Sequence, residues 1–400
     1  MKILILAAGE SSRFWPFSES SHKSFLKVGD KRIIERVINK LKGHEIILIV
    51  NPKRNLDEEL FKKENIKIIR QEEAKGMSDA VLRAKELIED DFLVIMPYYI
   101  NINEFIDSAE KVKAPAIALK RYESGDEKTH GIVRVENGKI REIREKERFE
   151  GGTHSIIGIY KLNKEVLKKI EDNKEDTFEE VMNKIAKEYG LNYFETQQPP
   201  SLKYITHLLE IREFLYEDIK KNAKKMEIKN GLIEENVIIG KNVKFGNNVS
   251  IKGKTFIGDN SFIGDNSLIR DSILGDKVEI GFGTEVARSI IMDNSHIHSG
   301  FVGDSIIGEN CRIGANFITG NRRIDRKTIK IKVKDEEYDT NLTRLGVIMG
   351  NNVKTGINVS TMPGAIIGNN SIIGSNTEVK GRIGSNKLVY NKTELIEKEL

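Results

Sequence analysis

The chain shows two different patterns of hydrophobic and polar residues, one before and one after about residue 225. In the first half, short apolar runs alternate with stretches that repeat every three or four residues, the pattern of an α/β fold. It predicts strands at Lys2–Leu6, Glu45–Val50, Ile66–Ile69, Phe92–Met96, Ala116–Leu119, Gly131–Val135 and Ser155–Tyr160. It predicts helices at Ile33–Leu41, Ser78–Ile88, Phe178–Lys187 and Tyr204–Lys220.

After Gly231 an apolar residue followed by glycine recurs at intervals of about six residues, as at Ile257-Gly258 and Ile263-Gly264. Many of these glycines begin a Gly-x-Asn triplet. The period predicts a coil with three short strands per turn, in which one apolar side chain per strand points inward and glycine or asparagine takes the positive-φ corners. Unrelated hairpins would not hold this phase for so long, and stacked coils form a prism with flat outer faces.

These patterns also predict the domain organisation. The first domain is 1–222, a lysine-rich linker follows at 223–230, the repeat domain is 231–385, and 386–400 is a tail. The six-residue phase breaks at 324–344, where TIKIKVK alternates apolar and basic residues. We interpret this break as an inserted loop or β-arm, and such interruptions often build binding sites.

Composition and charge exclude several classes of protein. There are 65 basic and 61 acidic residues, so the net charge of +4 gives no reason to expect a nucleic-acid partner. Cys311 is the only cysteine, which rules out an intrachain disulfide and favours a reducing compartment. No apolar run approaches the length of a membrane span. We therefore expect a cytoplasmic protein without a membrane or nucleic-acid partner.

The first half carries a phosphate-binding motif. The segment ILAAGESSRFWPFSESSHKSFLKVGDKRIIERVI follows the first predicted strand and precedes a helix. It resembles the signature of sugar-1-phosphate nucleotidylyltransferases, whose Rossmann-like α/β domain joins a sugar phosphate to a nucleoside triphosphate. The resemblance implies that the nucleotide and sugar are bound by a set of seven residues: Gly9 beside the phosphates, Arg13 on the triphosphate tail, Lys23 on the α-phosphate, Gln71 and Gly76 at the base, and Gly131 and Glu145 at the sugar.

Several positions depart from that signature. Ser11 replaces the second loop glycine, His22 replaces a proline and Ile156 replaces a sugar-binding asparagine. Tyr98 and Lys203 stand where the family has its ligands for Mg²⁺, a hard ion that requires oxygen donors. We therefore predict no metal site, Mg²⁺ dependence only if nucleotidyl transfer is retained, and nucleotidyl transfer that is weak or lost. An acid elsewhere in the chain, such as Glu104, could substitute as a ligand, although Glu104 lies several residues too far along.

The repeat domain carries a second resemblance. The segment TEVARSIIMDNSHIHSGFVGDSIIGENCRIGANFITGNRR is similar to the acetyltransferase segment of bifunctional uridylyltransferase/glucosamine-1-phosphate N-acetyltransferases, and LTRLGVIMGNNVKTGINVSTMPGAIIG is similar to their archaeal members. This resemblance implies a left-handed parallel β-helix, a homotrimer, and acetyl-CoA as a substrate. It implies that His298 is the base that deprotonates the amine, that Glu285 supports His298, and that Asn321 contacts the amino sugar.

Three arginines are candidates for binding the phosphate of the amino sugar. Arg270 matches the family's phosphate-binding arginine to within one residue, and Arg344 stands near a family lysine. Arg312 replaces an asparagine and offers two parallel hydrogen bonds to a phosphate. Phe301 replaces a tyrosine whose hydroxyl contacts the phosphate, so a different acceptor is as plausible as an inactive site.

Together, these features predict a protein of nucleotide-sugar biosynthesis that transfers an acetyl group from acetyl-CoA to an amino-sugar 1-phosphate. Its ligands would be a sugar 1-phosphate and a nucleoside triphosphate or nucleotide sugar. The alternative is a non-catalytic regulatory or scaffold member of the nucleotidyltransferase family, which binds a nucleotide sugar and an active partner. Acceptor-dependent release of thiol from acetyl-CoA distinguishes the two.

Overall fold

The computed structural model describes residues 1–53, 61, 65–128, 130–145, 147, 149–197, 202–220, 231–334, 336–392, 394 and 396–398. The chain divides into two compact units. The first contains Met1–Glu10, Ser20–Phe25 and Ile33–Ser201, and the second contains Ser11–Glu19, Leu26–Arg32 and Leu202–Leu400. Two short N-terminal segments thus belong by their contacts to the unit that holds the repeats. The predicted linker, 223–230, lies outside the described residues, so the boundaries on either side of it remain predictions.

The first unit is built on a sheet of nine strands among the described residues. Seven lie in the order Asn192–Glu195, Ala116–Arg121, His154–Leu162, Phe92–Ile95, Lys2–Ala7, Glu45–Val50 and Ile66–Arg70. The other two, Gly131–Glu136 and Lys139–Glu145, form a hairpin beside His154–Leu162. Each of the seven predicted strands is confirmed to within two residues at either end. The sequence did not predict Lys139–Glu145, because apolar residues occur in it only at Ile140 and Ile143.

Seven helices lie in the described part of the chain, the first five in the first unit and the last two in the second. They are α1 (Ile33–Lys40), α2 (Gly76–Arg83), α3 (Asn103–Glu110), α4 (Lys164–Asp172), α5 (Phe178–Tyr189), α6 (His207–Glu210) and α7 (Arg212–Lys220). A capping box starts α5, because the Thr177 hydroxyl accepts from the Glu180 N–H while the Glu180 carboxylate accepts from the Thr177 N–H. No helix in the described part of the chain is long and apolar enough to cross a membrane.

The second unit contains the predicted left-handed parallel β-helix of hexapeptide repeats. Its described strands form three parallel sheets of eight strands each, which we call the first, second and third faces. The first face is Gly231–Ile233, Val249–Lys252, Leu268–Arg270, Glu285–Ala287, Gly300–Gly303, Phe317–Thr319, Ser360–Thr361 and Glu378–Val379. The second is Val237–Ile239, Thr255–Ile257, Ile273–Leu274, Ile290–Ile291, Ile306–Ile307, Val347–Met349, Ala365–Ile367 and Arg382–Ile383. The third is Lys244–Phe245, Phe262–Ile263, Glu279–Ile280, His296–Ile297, Arg312–Ile313, Lys354–Thr355, Ile372–Ile373 and Leu388–Val389.

Inward-pointing side chains from all three faces fill the coil. They are mostly isoleucine and valine, and Ile251, Ile297 and Val302 are fully buried. Because each coil covers the next, one continuous apolar core runs along the stack. This is the physical reason for the six-residue period in the sequence.

Glycine and asparagine share the left-handed corners of the coil, and glycine has a second role where two coils approach closely. Asparagines take the left-handed corner positions, with Asn260 at φ 58° and Asn310 at φ 58°. The glycines of the triplets are required for close approach instead, since a Cβ on Gly281 would lie 2.0 Å from the His298 carbonyl oxygen of the next coil. The prediction that glycine or asparagine takes the positive-φ corner is therefore confirmed, with Gly283 at φ 63° in the position that asparagine holds in other triplets, while the first glycine of a triplet is selected by space.

The predicted insertion at 324–344 contains a short β-arm. Its strands, Lys330–Val333 and Glu336–Asp339, pair antiparallel. At the end of the arm, the ring of Tyr338 stacks on the ring of Tyr204 with centroids 3.8 Å apart. The guanidinium carbon of Arg13, which comes from an N-terminal segment of the same unit, lies 5.3 Å from the centroid of the Tyr204 ring.

The N-terminal hairpin formed by Lys27–Val28 and Lys31–Arg32 is tied to the coils by an ion cluster. The Lys27 ammonium donates to Asp276 at 2.5 Å and to Asp293 at 2.6 Å, and its side chain is only 22% exposed. Burial alone would lower the pKa of this ammonium, but the two carboxylates outweigh that effect and raise the pKa above its ordinary 10.5. The Lys27 ammonium therefore stabilises the folded unit at neutral pH, and this contribution is lost as the pH rises through its raised pKa.

Replacing Lys27 with methionine is expected to lower the free energy of unfolding by about 2 kcal/mol, because two partly buried carboxylates lose their charged donor. Lys31→Met is the matched control, since the Lys31 ammonium pairs only with its partly exposed neighbour Asp30 in the contacts of the described residues. We expect the control to cost less than about 0.5 kcal/mol. Urea unfolding at pH 7 measures the free energy of unfolding of both variants. Equal losses in the two variants would contradict a stabilising role of the ion cluster.

Candidate functional site

The loop after the first strand is open at Gly9. A Cβ built on Gly9 would have no neighbouring atom within 4 Å, so the backbone is accessible to a ligand. Two residues further on, Ser11 adopts φ 54° and ψ 25°, the left-handed conformation that favours glycine. This explains why the resembling family has glycine at this position, since serine keeps the same loop shape at a conformational cost.

Lys23, the predicted α-phosphate ligand, lies over an aromatic ring. Its ammonium is 4.3 Å from the centroid of Tyr98, the residue that replaces the family's metal-binding acid. Burial raises the pKa of Tyr98 to about 12, so its hydroxyl is a neutral phenol at physiological pH. The position thus offers a cation–π contact instead of a carboxylate.

The residues at the predicted metal positions do not fit Mg²⁺. Tyr98 has no anionic oxygen at neutral pH, and Lys203 brings a cation. The Glu104 carboxylate is exposed and accepts a hydrogen bond from the Asn101 side chain at 3.1 Å. The described residues contain no group of three or more His, Cys, Asp or Glu side chains that could hold a metal ion. We therefore derive no step that depends on Mg²⁺.

Gln71 is buried and held by its neighbours. Its Nε2 donates to the Asp79 carboxylate at 2.7 Å and to the Gly76 carbonyl at 3.3 Å. Gly76 has φ 88°, a conformation that glycine adopts without strain. Burial alone would raise the pKa of Asp79, but hydrogen bonds from Arg83 and Gln71 lower it, so this carboxylate is ionised at neutral pH. Residues 71 and 76 are therefore brought together as the sequence predicted.

A cavity of about 670 Å³ opens beside this pair. It runs along α2 from Gly76 to Arg83, and the end of α4, the segment before α5 and the first residues of α5 line its other side. The Ser78 hydroxyl is buried and makes no hydrogen bond within the described residues. The volume suits a nucleotide-sized ligand. Sequence analysis missed Ser78, Asp79 and the start of α5, because their only local signal is the placement of polar side chains in first helical turns.

The predicted sugar positions also come together. Gly131 and Glu145 are paired across two strands, and a Cβ on Gly131 would lie 2.9 Å from a Glu145 carboxylate oxygen. The same Cβ would lie 3.2 Å from Ile156, the residue that replaces the sugar-binding asparagine. The structure therefore brings the predicted glycine and acid together beside the buried apolar side chain of Ile156.

On the β-helix, Glu285 is paired with Arg270. Nη2 of Arg270 donates to the Glu285 carboxylate at 2.7 Å, and Nε donates to the same oxygen at 3.0 Å. Both side chains lie on the outer side of the first face and are about one third exposed. The structure thus brings two of the predicted residues together, but as each other's partners.

His298 is exposed at the corner that leads from the third face to the first. Its backbone N–H donates to the Ile313 carbonyl, and its ring lies parallel to that of His296 with centroids 6.4 Å apart. His296 in turn lies 3.7 Å from the Glu279 carboxylate. Within the described residues, no hydrogen bond joins His298 to Glu285, so the predicted support of the base by this acid remains a prediction.

Asn321 lies at the next corner, beside Phe301. A Cβ on Gly303 would lie 2.9 Å from the Asn321 side-chain nitrogen and 2.5 Å from the Phe301 ring, so both side chains cover this glycine. The Asn321 amide donates to the Asp304 carboxylate at 2.5 Å. Asp304, which sequence analysis did not select as a site residue, is held by both Nε and Nη2 of Arg288, each at 2.7 Å.

The other two candidate arginines differ in their surroundings. Arg312 lies on the outer side of the third face and donates to the Asn294 and Cys311 carbonyls. Arg344 is exposed at the end of the inserted segment, just before Leu345 returns to the core. The structure does not join Arg270, Arg312 and Arg344 by any hydrogen bond within its described residues.

Comparison with known proteins assigns both halves. Residues 2–198 match the nucleotidyl transferase family. Residues 346–381 match the bacterial transferase hexapeptide family of six repeats, and 254–286 and 305–320 match the hexapeptide repeat of succinyl-transferase. The chain thus combines a nucleotidyl transferase domain with hexapeptide repeats of bacterial transferases.

Relatives match the whole chain. It is 36% identical to the bifunctional protein GlmU of Methanocaldococcus jannaschii over 100% of both chains. It is 38% identical to the same protein of Methanococcus maripaludis, covering 99% of this chain and 98% of that one. It is 30% identical to the bifunctional sugar-1-phosphate nucleotidylyltransferase/acetyltransferase of Sulfurisphaera tokodaii, covering 92% and 94%. The chain therefore belongs to the family of bifunctional sugar-1-phosphate nucleotidylyltransferase/acetyltransferases.

Proposed function

We propose that this chain transfers an acetyl group from acetyl-CoA to the amine of an amino-sugar 1-phosphate, and that the β-helix performs the reaction. The observation that carries the proposal is the outer side of the first face. There Glu285 and Phe301 are direct neighbours in the sheet register, with Arg270 beside the first and Asn321 beside the second. The exposed imidazole of His298 lies at the corner that leads into this face.

In this proposal His298 removes the proton from the ammonium of the acceptor, because an ammonium has no lone pair with which to attack a thioester. The amine then attacks the thioester carbonyl and the CoA thiolate leaves. Asn321 contacts the amino group, and the guanidinium groups of Arg270, Arg312 and Arg344 are the candidates that bind the phosphate. The Glu285 carboxylate forms an ion pair with Arg270, in addition to any support that it gives to His298.

We propose further that the first unit binds a nucleotide or nucleotide sugar but no longer catalyses nucleotidyl transfer. The cavity beside Gln71 and Gly76 supports retained binding. The phenol of Tyr98 beneath Lys23 supports the loss of catalysis, because no carboxylate is present to hold the ion that neutralises the phosphates.

One pair of contacts favours the alternative, a non-catalytic regulatory or scaffold subunit. Two nitrogens of Arg270 hold the Glu285 carboxylate, which makes no hydrogen bond to His298 within the described residues. A subunit of that kind would bind a nucleotide sugar and release no thiol from acetyl-CoA. Calorimetry with UDP-N-acetylglucosamine, combined with a thiol assay with and without glucosamine 1-phosphate, separates the two functions.

We also propose that the chain forms a homotrimer through its β-helix. Several large apolar side chains are at least 41% exposed on or beside its faces, and these are Phe262, Phe282, Ile318, Ile357, Ile372 and Leu388. Ile372 and Leu388 are direct neighbours on the third face, and contiguous exposed apolar groups are typical of association surfaces. Light scattering at micromolar concentration is expected to give three times the chain mass of 45.4 kDa. A monomer at that concentration would contradict the proposal.

A further inference from the structure

Asp304 is the centre of a buried charged group at one corner of the β-helix. It has φ 49°, and its side chain is only 9% exposed. Arg288, at the equivalent corner one coil earlier with φ 50°, forms two parallel hydrogen bonds to its carboxylate. The Arg212 side chain of α7 donates a hydrogen bond to the Arg288 carbonyl at 2.8 Å, so it also helps to hold Arg288 in place. Such a bidentate pair fixes the carboxylate in one orientation.

The fixed carboxylate determines the orientation of the Asn321 amide. The amide approaches Asp304 to 2.5 Å, and only its NH₂ group can face a carboxylate oxygen, because two acceptors would repel each other. The backbone holds the same arrangement, since Leu345 donates to the Asn321 carbonyl and Gly346 donates to the Asp304 carbonyl. The side-chain oxygen Oδ1 of Asn321 accepts no hydrogen bond from any described residue, and the side chain is partly exposed.

We propose that Asp304 is a positioning residue: it locks the Asn321 amide so that Oδ1 receives a hydrogen bond from the amino group of an amino-sugar phosphate. This inference rests on the proposed acetyl transfer and goes beyond it by assigning to Asp304 the orientation of the Asn321 amide. An ammonium can only donate hydrogen bonds, whereas a hydroxyl can donate or accept. If the Asn321 amide could rotate and exchange its oxygen with its NH₂ group, binding of an amine would therefore be weaker, whereas binding of a hydroxyl would be nearly unaffected.

The test compares glucosamine 1-phosphate with glucose 1-phosphate, which has a hydroxyl in place of the amine, by calorimetry on the full chain. Asp304→Asn keeps the size and suits the left-handed corner, but it can present either end of its amide to Asn321. We expect it to weaken binding of glucosamine 1-phosphate about tenfold and binding of glucose 1-phosphate less than twofold. In thiol-release assays, the KM for the amine should rise by the same factor while the KM for acetyl-CoA stays constant.

The exchanged variant, Asp304→Asn with Asn321→Asp, provides the rescue. Position 321 then carries a group that only accepts, so the preference for the amine should return although Arg288 has lost the same partner as in the single variant. The assignment is overturned if Asp304→Asn weakens the binding of both ligands equally or leaves the preference for glucosamine 1-phosphate unchanged. It is also overturned if the exchanged variant does not recover that preference, or if the wild type binds neither ligand. Wild type that binds the amine preferentially but releases no thiol would instead contradict the proposed function, while the assignment stands.

Discussion

Replacement of His298 by alanine is expected to reduce acetyl transfer from acetyl-CoA to glucosamine 1-phosphate or galactosamine 1-phosphate by about 10²–10⁴-fold. The acceptor amine is mostly protonated at neutral pH and cannot attack until a base removes its proton. An imidazole is the side chain best matched to proton transfer at that pH. Because His298 is exposed, the free energy of unfolding should change by less than about 0.5 kcal/mol, and the oligomeric state should not change. The assay follows free thiol with and without the acceptor.

Two matched variants identify the base. His296→Ala removes a neighbouring imidazole whose ring lies parallel to that of His298, and it should retain most of the activity. Glu285→Gln should cost less than His298→Ala, because it leaves the base in place and changes the charge beside Arg270. Wild-type activity in the His298 variant would show that a different group is the base. A large loss in His296→Ala with little loss in His298→Ala would transfer that role to His296.

The second large effect is expected in the first unit. Release of pyrophosphate from UTP or dTTP with a sugar 1-phosphate and Mg²⁺ should be several orders of magnitude slower than in an enzyme that holds the ion, because Tyr98 and Lys203 provide no carboxylate. Tyr98→Asp combined with Lys203→Asp restores acids at both positions that the resemblance assigns to the metal. The double variant should gain Mg²⁺-dependent pyrophosphate release if the remaining residues of the site are competent.

The matched control for that gain is Tyr98→Asn with Lys203→Asn, which removes the ring and the cation but adds no charge. Only the aspartate variant should respond to Mg²⁺. Rapid Mg²⁺-dependent pyrophosphate release by the wild type would contradict the prediction directly. No gain in the double variant would place the loss at other altered positions, among which Ile156 is the buried residue at the sugar position.

The repeat domain could be predicted from the sequence because its physics is local and periodic. Each six-residue unit repeats the same inward apolar position, so the phase alone indicates the coil. The insertion at 324–344 was visible for the same reason, as a break in that phase. The strands of the first unit were predicted where they are buried and apolar, while Lys139–Glu145 was missed because its pattern is mostly charged.

Contacts between residues far apart in sequence could not be predicted in this way. Nothing near Lys27 indicates that it binds Asp276 and Asp293, because that pairing depends on how the coils stack. The same applies to the site, where the sequence selected Glu285 and Arg270 for separate roles and the structure pairs them. Asp304 was missed because a corner aspartate looks, in sequence, like any other polar corner of the coil.

Parallel measurement of two products on the wild-type protein tests the central claim most directly. One reaction contains acetyl-CoA with glucosamine 1-phosphate or galactosamine 1-phosphate and is followed by free thiol. The other contains UTP or dTTP, the corresponding N-acetylated sugar 1-phosphate and Mg²⁺, and is followed by pyrophosphate. Our account predicts acceptor-dependent thiol release at a rate of about 1 s⁻¹ or more and almost no pyrophosphate. Pyrophosphate release without any acceptor-dependent thiol release would contradict it.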